Sequence, residues 1–261
     1  MIKLLCIALV GVLVLPIQPS AAPAEKDNAL PRTPVLVELF TSEGCSSCPP
    51  ADKFLQDIDA QQPVAGADLI VLSEHVDYWN HDGWKDPFSS HSITERQSDY
   101  GAHFKIDSVY TPQMIVDGDT QFVGNSTATA RSSFERAAAV NKIPVRLSSI
   151  TLDGNTLRAH LSVAALPSGE RGHADIYVAL VLRHAESQVL KGENEGRRLS
   201  HVGVVRTMTR VGSVGTKQAS EFNIELKLDP SDDPGNLKVV AFAQQPGPGK
   251  ILGATAEQVK K

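Results

Sequence analysis

VLVELFTSEGCSSCPP, residues 35–50, is the most informative stretch of the sequence for the fold. Its first six residues, 35–40, form an apolar run interrupted by one acid, which is typical of a buried strand. Two cysteines separated by two residues, Cys45 and Cys48, follow that run, and apolar side chains at helical spacing follow over residues 54–58. The sequence therefore predicts a CxxC pair at the turn from a strand into a helix.

The N-terminal residues have the pattern of a secretory signal peptide. Lys3 supplies a charge, residues 4–15 form an apolar core, and Ala22-Pro23-Ala24 is a small-x-small cleavage site, so residues 1–24 are the predicted leader. The core is shorter than the ~20 residues that cross a bilayer as a helix. We expect a periplasmic or secreted protein with no stable membrane insertion, and a flexible lead-in over residues 25–34.

Size and charge limit the classes of function. The chain has 261 residues, and its 30 acidic and 25 basic side chains give a net charge of −5. It has no basic run and few aromatic residues, which argues against a nucleic-acid partner. Without the leader it is long enough for one or two domains of roughly 150 residues each.

The pattern of predicted secondary structure changes near Lys142. Residues 35–142 alternate strand and helix in the order βαβαββα, with a hairpin turn at residues 117–119. Residues 143–261 contain seven or so short strands, with a hairpin turn at residues 153–155, and favour a β-sandwich. The sequence predicts two domains with these limits.

Two motifs carry a resemblance to known proteins. The βαβαββα order with its CxxC resembles the thioredoxin fold, where a cis-proline begins the third strand beside the active pair. Pro112 occupies that place in VYTPQMIVDG, residues 109–118. Residues 40–52, 77–97 and 110–118 also resemble the secreted family catalogued as domain of unknown function 1223. The resemblance implies an α/β fold with a thioredoxin-like domain followed by an all-β sandwich-like C-terminal domain.

The spacing of the cysteines suits thiol chemistry. The N-terminus of a helix carries about half a positive charge, which stabilises a thiolate. We expect Cys45 to be the more exposed, attacking sulfur and Cys48 to resolve the mixed disulfide. The chain differs from common thioredoxins at Gly44, Ser46-Ser47 and Pro49-Pro50, so a redox potential cannot be carried over.

The resemblance implies some further site residues, and the loop after the second strand supplies others, because parallel strands end at the same edge of a sheet. Glu38 lies near the position of a buried thioredoxin acid that takes a proton from the second thiol, and the alternative is a solvated Glu or one paired with Lys or Arg. We expect the substrate to contact the following residues: His75, Trp79, Trp84, Thr111 and Pro112. Trp79 and Trp84 could instead form a satellite core.

The sequence thus predicts an exported thiol–disulfide oxidoreductase that acts on protein thiols, needs no cofactor and has an unknown redox partner. Two alternatives stay open. CxxC with a histidine could bind Cu(I) as a metallochaperone, although the chain has no Met-rich segment. The pair could also be a structural disulfide in a binding module, where the charged loop at residues 191–198 contacts a partner or is a solvated turn.

Overall fold

A computed structural model describes residues 32–169 and 172–260. The predicted signal peptide (residues 1–24) and residues 25–31 of the predicted lead-in lie outside the described residues. Residues 33 and 34 of that lead-in belong to the first strand. In the described part of the chain, no helix is long and apolar enough to cross a membrane.

The described residues form eleven strands and three α-helices. In chain order these are β1 (Thr33–Thr41), α1 (Pro49–Gln61), β2 (Ala67–His75), α2 (His91–Phe104), β3 (Gln113–Val116), β4 (Thr120–Val123), α3 (Thr127–Ala138), β5 (Val145–Asp153), β6 (Thr156–Val163), β7 (His173–Gln188), β8 (Arg198–Gly215), β9 (Ser220–Lys227), β10 (Leu237–Gln244) and β11 (Ile251–Gln258). The first seven follow the predicted order βαβαββα. Both predicted hairpin turns are confirmed, one between β3 and β4 and the other between β5 and β6.

The strands form one large sheet and one small sheet. The large sheet has eight strands in the order β11-β10-β7-β8-β2-β1-β3-β4, and the small one has three in the order β5-β6-β9. β1 pairs with β2 in parallel and with β3 antiparallel. β8 pairs in parallel with β2 where Val204 lies opposite Ser73.

The predicted fold class, a thioredoxin-like domain followed by a separate all-β sandwich, is wrong. β7, β8, β10 and β11 extend the sheet of β1–β4, so both halves of the chain share one eight-stranded sheet. Without β8, β2 would present an open edge of unpaired backbone groups, and β8 covers that edge. Periodicity identifies strands but not their neighbours. The limits 35–142 and 143–261 stay a prediction.

A glycine allows the two halves of the large sheet to meet. Gly203 in β8 has φ +66°, and a Cβ atom there would lie 2.5 Å from the carbonyl oxygen of Val71 in β2. Any other residue would clash with β2 and would also be strained in the left-handed region. The junction therefore requires glycine at this position.

Both faces of the large sheet are buried along β1, the strand that leads into the CxxC turn. On β1, Val37 and Leu39 share one hydrophobic cluster with α1 and α3. Leu36 and Phe40 point to the opposite face and share another cluster with α2 and with β7, β8 and β10. A third cluster joins the small sheet to β7, β8 and β10. Residues 178–182 of β7 are consequently buried on both faces, unlike the alternating pattern of a half-exposed sandwich strand.

Candidate functional site

The CxxC pair lies at the start of α1, as the sequence predicts. Cys45 and Cys48 form a disulfide with their Cα atoms 5.4 Å apart. Cys48 is the N-cap of α1, and Pro49 and Pro50 occupy the first helical positions, where a missing N–H costs no helical hydrogen bond. The Ser47 hydroxyl lies 3.3 Å from Cys45 Sγ.

The disulfide is covered. Both cysteines have 0% exposure, so the expectation that Cys45 is exposed is wrong. Part of the cover is the connection between β7 and β8, residues 189–197, here called the cover loop. Its Asn194 Nδ2 donates to the carbonyl oxygens of Glu43 (2.9 Å) and Cys45 (3.0 Å), and its Glu193 accepts from the Ser46 backbone N–H at 3.0 Å. The charged loop from the C-terminal half thus fastens the CxxC turn.

A buried carboxylate lies directly before the first cysteine. Glu43 is fully buried, and its Oε2 accepts from Trp84 Nε1 at 2.8 Å. Its Oε1 accepts from the Ser187 hydroxyl and lies 3.2 Å from His201 Nε2. Because Ser187 and His201 belong to β7 and β8, this acid joins the CxxC turn to the far half of the sheet.

A second acid–histidine pair lies beside the first. His75 Nδ1 is 2.7 Å from Asp86 Oδ2, which also accepts from the Glu43 backbone N–H at 2.8 Å. Burial disfavours the His75 cation, but the carboxylates of Asp86, Asp52 and Glu43 together outweigh burial, and the pKa of His75 is raised. Burial likewise disfavours the Asp86 anion, but His75 and the backbone hydrogen bonds leave the pKa of Asp86 lowered.

The third acid is Asp52, in the first turn of α1. Its Oδ1 accepts from Thr41 Oγ1 at 2.8 Å and lies 3.9 Å from His201 Nδ1. Burial raises the pKa of Asp52 against the opposing effect of the two histidines, His201 and His75. The rings of His75 and His201 meet edge to face with their centroids 4.7 Å apart. The buried acid–histidine cluster is defined as Glu43, Asp52, His75, Asp86 and His201.

Two of the predicted substrate contacts lie beside the CxxC turn. Trp79 Nε1 donates to Thr111 Oγ1 at 2.8 Å. Trp79 also packs against Gly44, where a Cβ atom would lie 3.0 Å from Trp79 Cβ. Thr111 and Trp79 therefore form one wall next to the cysteines.

Pro112 lies beside the first turn of α1. The Thr111–Pro112 peptide bond is cis, as the resemblance implies. At Gly124 a Cβ atom would lie 3.1 Å from Pro112 Cβ and 3.2 Å from Ala51 Cβ, so this glycine lets the proline and α1 approach each other. The other two predicted contacts, Trp84 and His75, point into the buried acid–histidine cluster instead.

The structure places Glu38 away from the cysteines. Its carboxylate accepts from Arg96 Nε and Tyr100 OH, both at 2.7 Å, and its side chain is fully buried. It belongs to the face of β1 that α2 covers, whereas α1 packs on the other face. Pairing with an arginine is the alternative that the sequence left open, and the part of Glu38 in proton transfer stays a prediction.

Most of the polar residues around the disulfide were not predicted from the sequence. Glu43 and Asp52 could have been found, because both are acids in an otherwise small or apolar stretch and Asp52 lies one helical turn after Cys48. Asn194 lies in the charged loop at residues 191–198, but no local pattern connects it or His201 with the CxxC turn, which lies about 150 residues earlier in the chain. In residues 32–169 and 172–260, no group of three or more His, Cys, Asp or Glu side chains is placed to hold a metal ion.

Comparison with known proteins gives a family but no activity. The family model described as "Protein of unknown function (DUF1223)" matches residues 36–244. A crystal structure of protein AGR_C_4864 from Agrobacterium tumefaciens is 28% identical with a TM-score of 0.68, and the match covers 89% of this chain and 97% of that chain. HBP35 of Porphyromonas gingivalis shares the fold at 14% identity and a TM-score of 0.64, over 89% of this chain and 77% of that one. No curated protein matches the chain.

Proposed function

We propose that this chain, which belongs to the DUF1223 family of proteins of unknown function, is an exported thiol–disulfide oxidoreductase acting on protein thiols. The observation that supports this function is the disulfide between Cys45 and Cys48 at the N-terminus of α1. The amide groups at that end of the helix favour a thiolate on either sulfur once the bond opens. Export follows from the predicted leader. It also suits the disulfide, because the compartments that exported proteins enter are oxidising and preserve disulfides.

The proposed reaction is a two-electron exchange. A thiolate of the substrate protein, here called the client, attacks Cys45 Sγ, and the bond to Cys48 breaks. The electron pair of that bond goes to the Cys48 sulfur, which takes up a proton. A second client thiolate then attacks the client sulfur of the mixed disulfide and releases Cys45 as a thiolate. The client dithiol is oxidised to a disulfide and the CxxC pair is reduced, and the reverse sequence reduces a client disulfide.

The proposed client surface is the wall beside the CxxC turn. Trp79, Thr111 and Pro112 lie there and can contact an extended segment that carries the reacting sulfur. Trp84 and His75 hold buried carboxylates, so we assign them to the support of the turn. Since both cysteines are covered, exchange also requires the cover loop to move.

Full burial of the cysteines favours a second candidate, a structural disulfide in a non-catalytic binding module. One titration separates the two functions. The mature chain (residues 25–261) is equilibrated in glutathione buffers of graded potential, free thiols are alkylated and counted by mass, and circular dichroism reports folding.

An oxidoreductase is expected to gain both thiols in one two-electron transition while it stays folded. A pair that is reduced only where the protein unfolds would overturn this function and leave the structural disulfide. As a second readout, Cys48→Ala should trap mixed disulfides with thiol proteins through Cys45. Cys45→Ala is the matched control and should trap none.

A further inference from the structure

Three buried polar atoms without partners lie together near the disulfide. They are Asp52 Oδ2, His75 Nε2 and His201 Nδ1, all in the buried acid–histidine cluster. Buried polar atoms in folded proteins nearly always have a hydrogen-bond partner, and each exception needs an explanation. Three such atoms in one cluster leave lone pairs or N–H groups there that are free to accept or donate a proton.

Asp52 and Cys48 share a helix face. The Asp52 backbone N–H donates to the Cys48 carbonyl oxygen at 3.0 Å, which places the two residues one helical turn apart. Side chains at this spacing are neighbours, with Cβ atoms roughly 5–6 Å apart. Both residues are buried, at 5% and 0% exposure. The helical spacing therefore puts the Asp52 carboxyl group on the same side of α1 as the Cys48 sulfur, which leaves when the disulfide opens.

His201 is placed to exchange a proton with this carboxyl group. Its Nε2 faces Glu43, and its Nδ1 lies 3.9 Å from Asp52 Oδ1 with no other partner. The groups that face Asp52 from the elements packed against α1 are Thr41 of β1, His75 of β2, His201 of β8 and Asp86 of the β2–α2 connection. Burial raises the pKa of Asp52, so its acid form persists to higher pH than in an ordinary carboxyl group.

We propose that Asp52 is the acid that protonates Cys48 as the disulfide opens, and that His201 replaces the proton. This assignment rests on the proposed function. When a client thiolate bonds to Cys45 Sγ, the electron pair of the broken bond goes to Cys48 Sγ, which takes the Asp52 proton. The resulting carboxylate takes a proton from His201 Nδ1. On reoxidation the same groups accept the proton from the Cys48 thiol.

The test is the rate at which dithiothreitol opens the disulfide of the mature chain between pH 5 and 9, corrected for the thiolate fraction of the reductant. The wild-type rate should fall as pH rises and Asp52 loses its proton. Asp52→Asn keeps an acceptor for Thr41 and should slow opening by about 100-fold or more, with that fall in rate abolished. Asp57→Asn, an exposed change on the same helix, is the matched control and should change neither rate nor profile.

A second variant tests whether His201 is coupled to Asp52, without removing the acid. His201→Gln removes the imidazole whose electrostatic effect lowers the pKa of Asp52, so the fall in rate should move to higher pH. An unshifted profile in His201→Gln, or wild-type kinetics in Asp52→Asn, would overturn the assignment while leaving the proposed function intact. A wild-type disulfide that never opens in the folded protein would instead overturn the proposed function.

Discussion

Replacing Asn194 by alanine tests whether the cover loop controls access to the disulfide. Its amide donates two buried hydrogen bonds, to the carbonyl oxygens of Glu43 at 2.9 Å and of Cys45 at 3.0 Å. Each bond is worth about 0.5–1.5 kcal/mol net, and a buried carbonyl left without a partner adds to the cost. We expect Asn194→Ala to lose about 2–3 kcal/mol of stability.

That loss has two measurable consequences. For a chain of this size, each kcal/mol lowers Tm by about 2–4 °C, so we expect a fall of about 4–12 °C by calorimetry. If the cover loop must leave the CxxC turn before a thiol reaches Cys45, the loss of these two hydrogen bonds favours the state with the loop detached by the same ~2–3 kcal/mol. At about 1.4 kcal/mol per tenfold, reduction by dithiothreitol should be about 30- to 140-fold faster. The assay is alkylation of the released thiols followed by mass.

Asn236→Ala is the matched control. The Asn236 side chain also makes two hydrogen bonds to backbone, both with His184, but far along the chain from the cysteines. It should not change the rate of reduction. A clear fall in Tm for Asn194→Ala with a reduction rate within twofold of wild type would show that the cover loop stabilises the fold without limiting access to the disulfide, contrary to this prediction.

Two further predictions concern stability. Gly203→Ala should lose more than ~2 kcal/mol of stability in denaturant unfolding, because it combines a positive φ with a clash against Val71. The control, Gly154→Ala, has a positive φ in open space and should lose only about 1 kcal/mol. Equal losses would contradict the close approach of Gly203 to Val71. Burial, and then the charge of Glu38, raise the pKa of Glu74 well above its usual range. The folded protein therefore holds this proton more tightly than the unfolded chain, and the contribution of Glu74 to stability, complete below about pH 4.3, is lost as pH rises towards the raised pKa. Glu74→Gln should raise Tm at pH 7 and leave it unchanged near pH 4, and a variant less stable at pH 7 would contradict this sign.

Local patterns predicted the elements well. The apolar run of β1, the CxxC turn and the turns at residues 117–119 and 153–155 depend on neighbours in sequence, and the structure has each of them. The polar surroundings of the site were largely missed. Glu38 interrupts a strand near the cysteines, and alternation along β1 puts it on the α2 face. Its part in proton transfer stays a prediction.

Residue spacing over short stretches is enough to predict the CxxC pair before α1 and the order of the first seven elements. The pairing of β8 with β2, and with it the single sheet that both halves of the chain share, is seen only in the folded protein. That pairing brings Asn194 and His201 to the CxxC turn. Hydrogen bonding between strands is carried by backbone groups that every residue shares, so side-chain patterns cannot specify which strand becomes the neighbour of which.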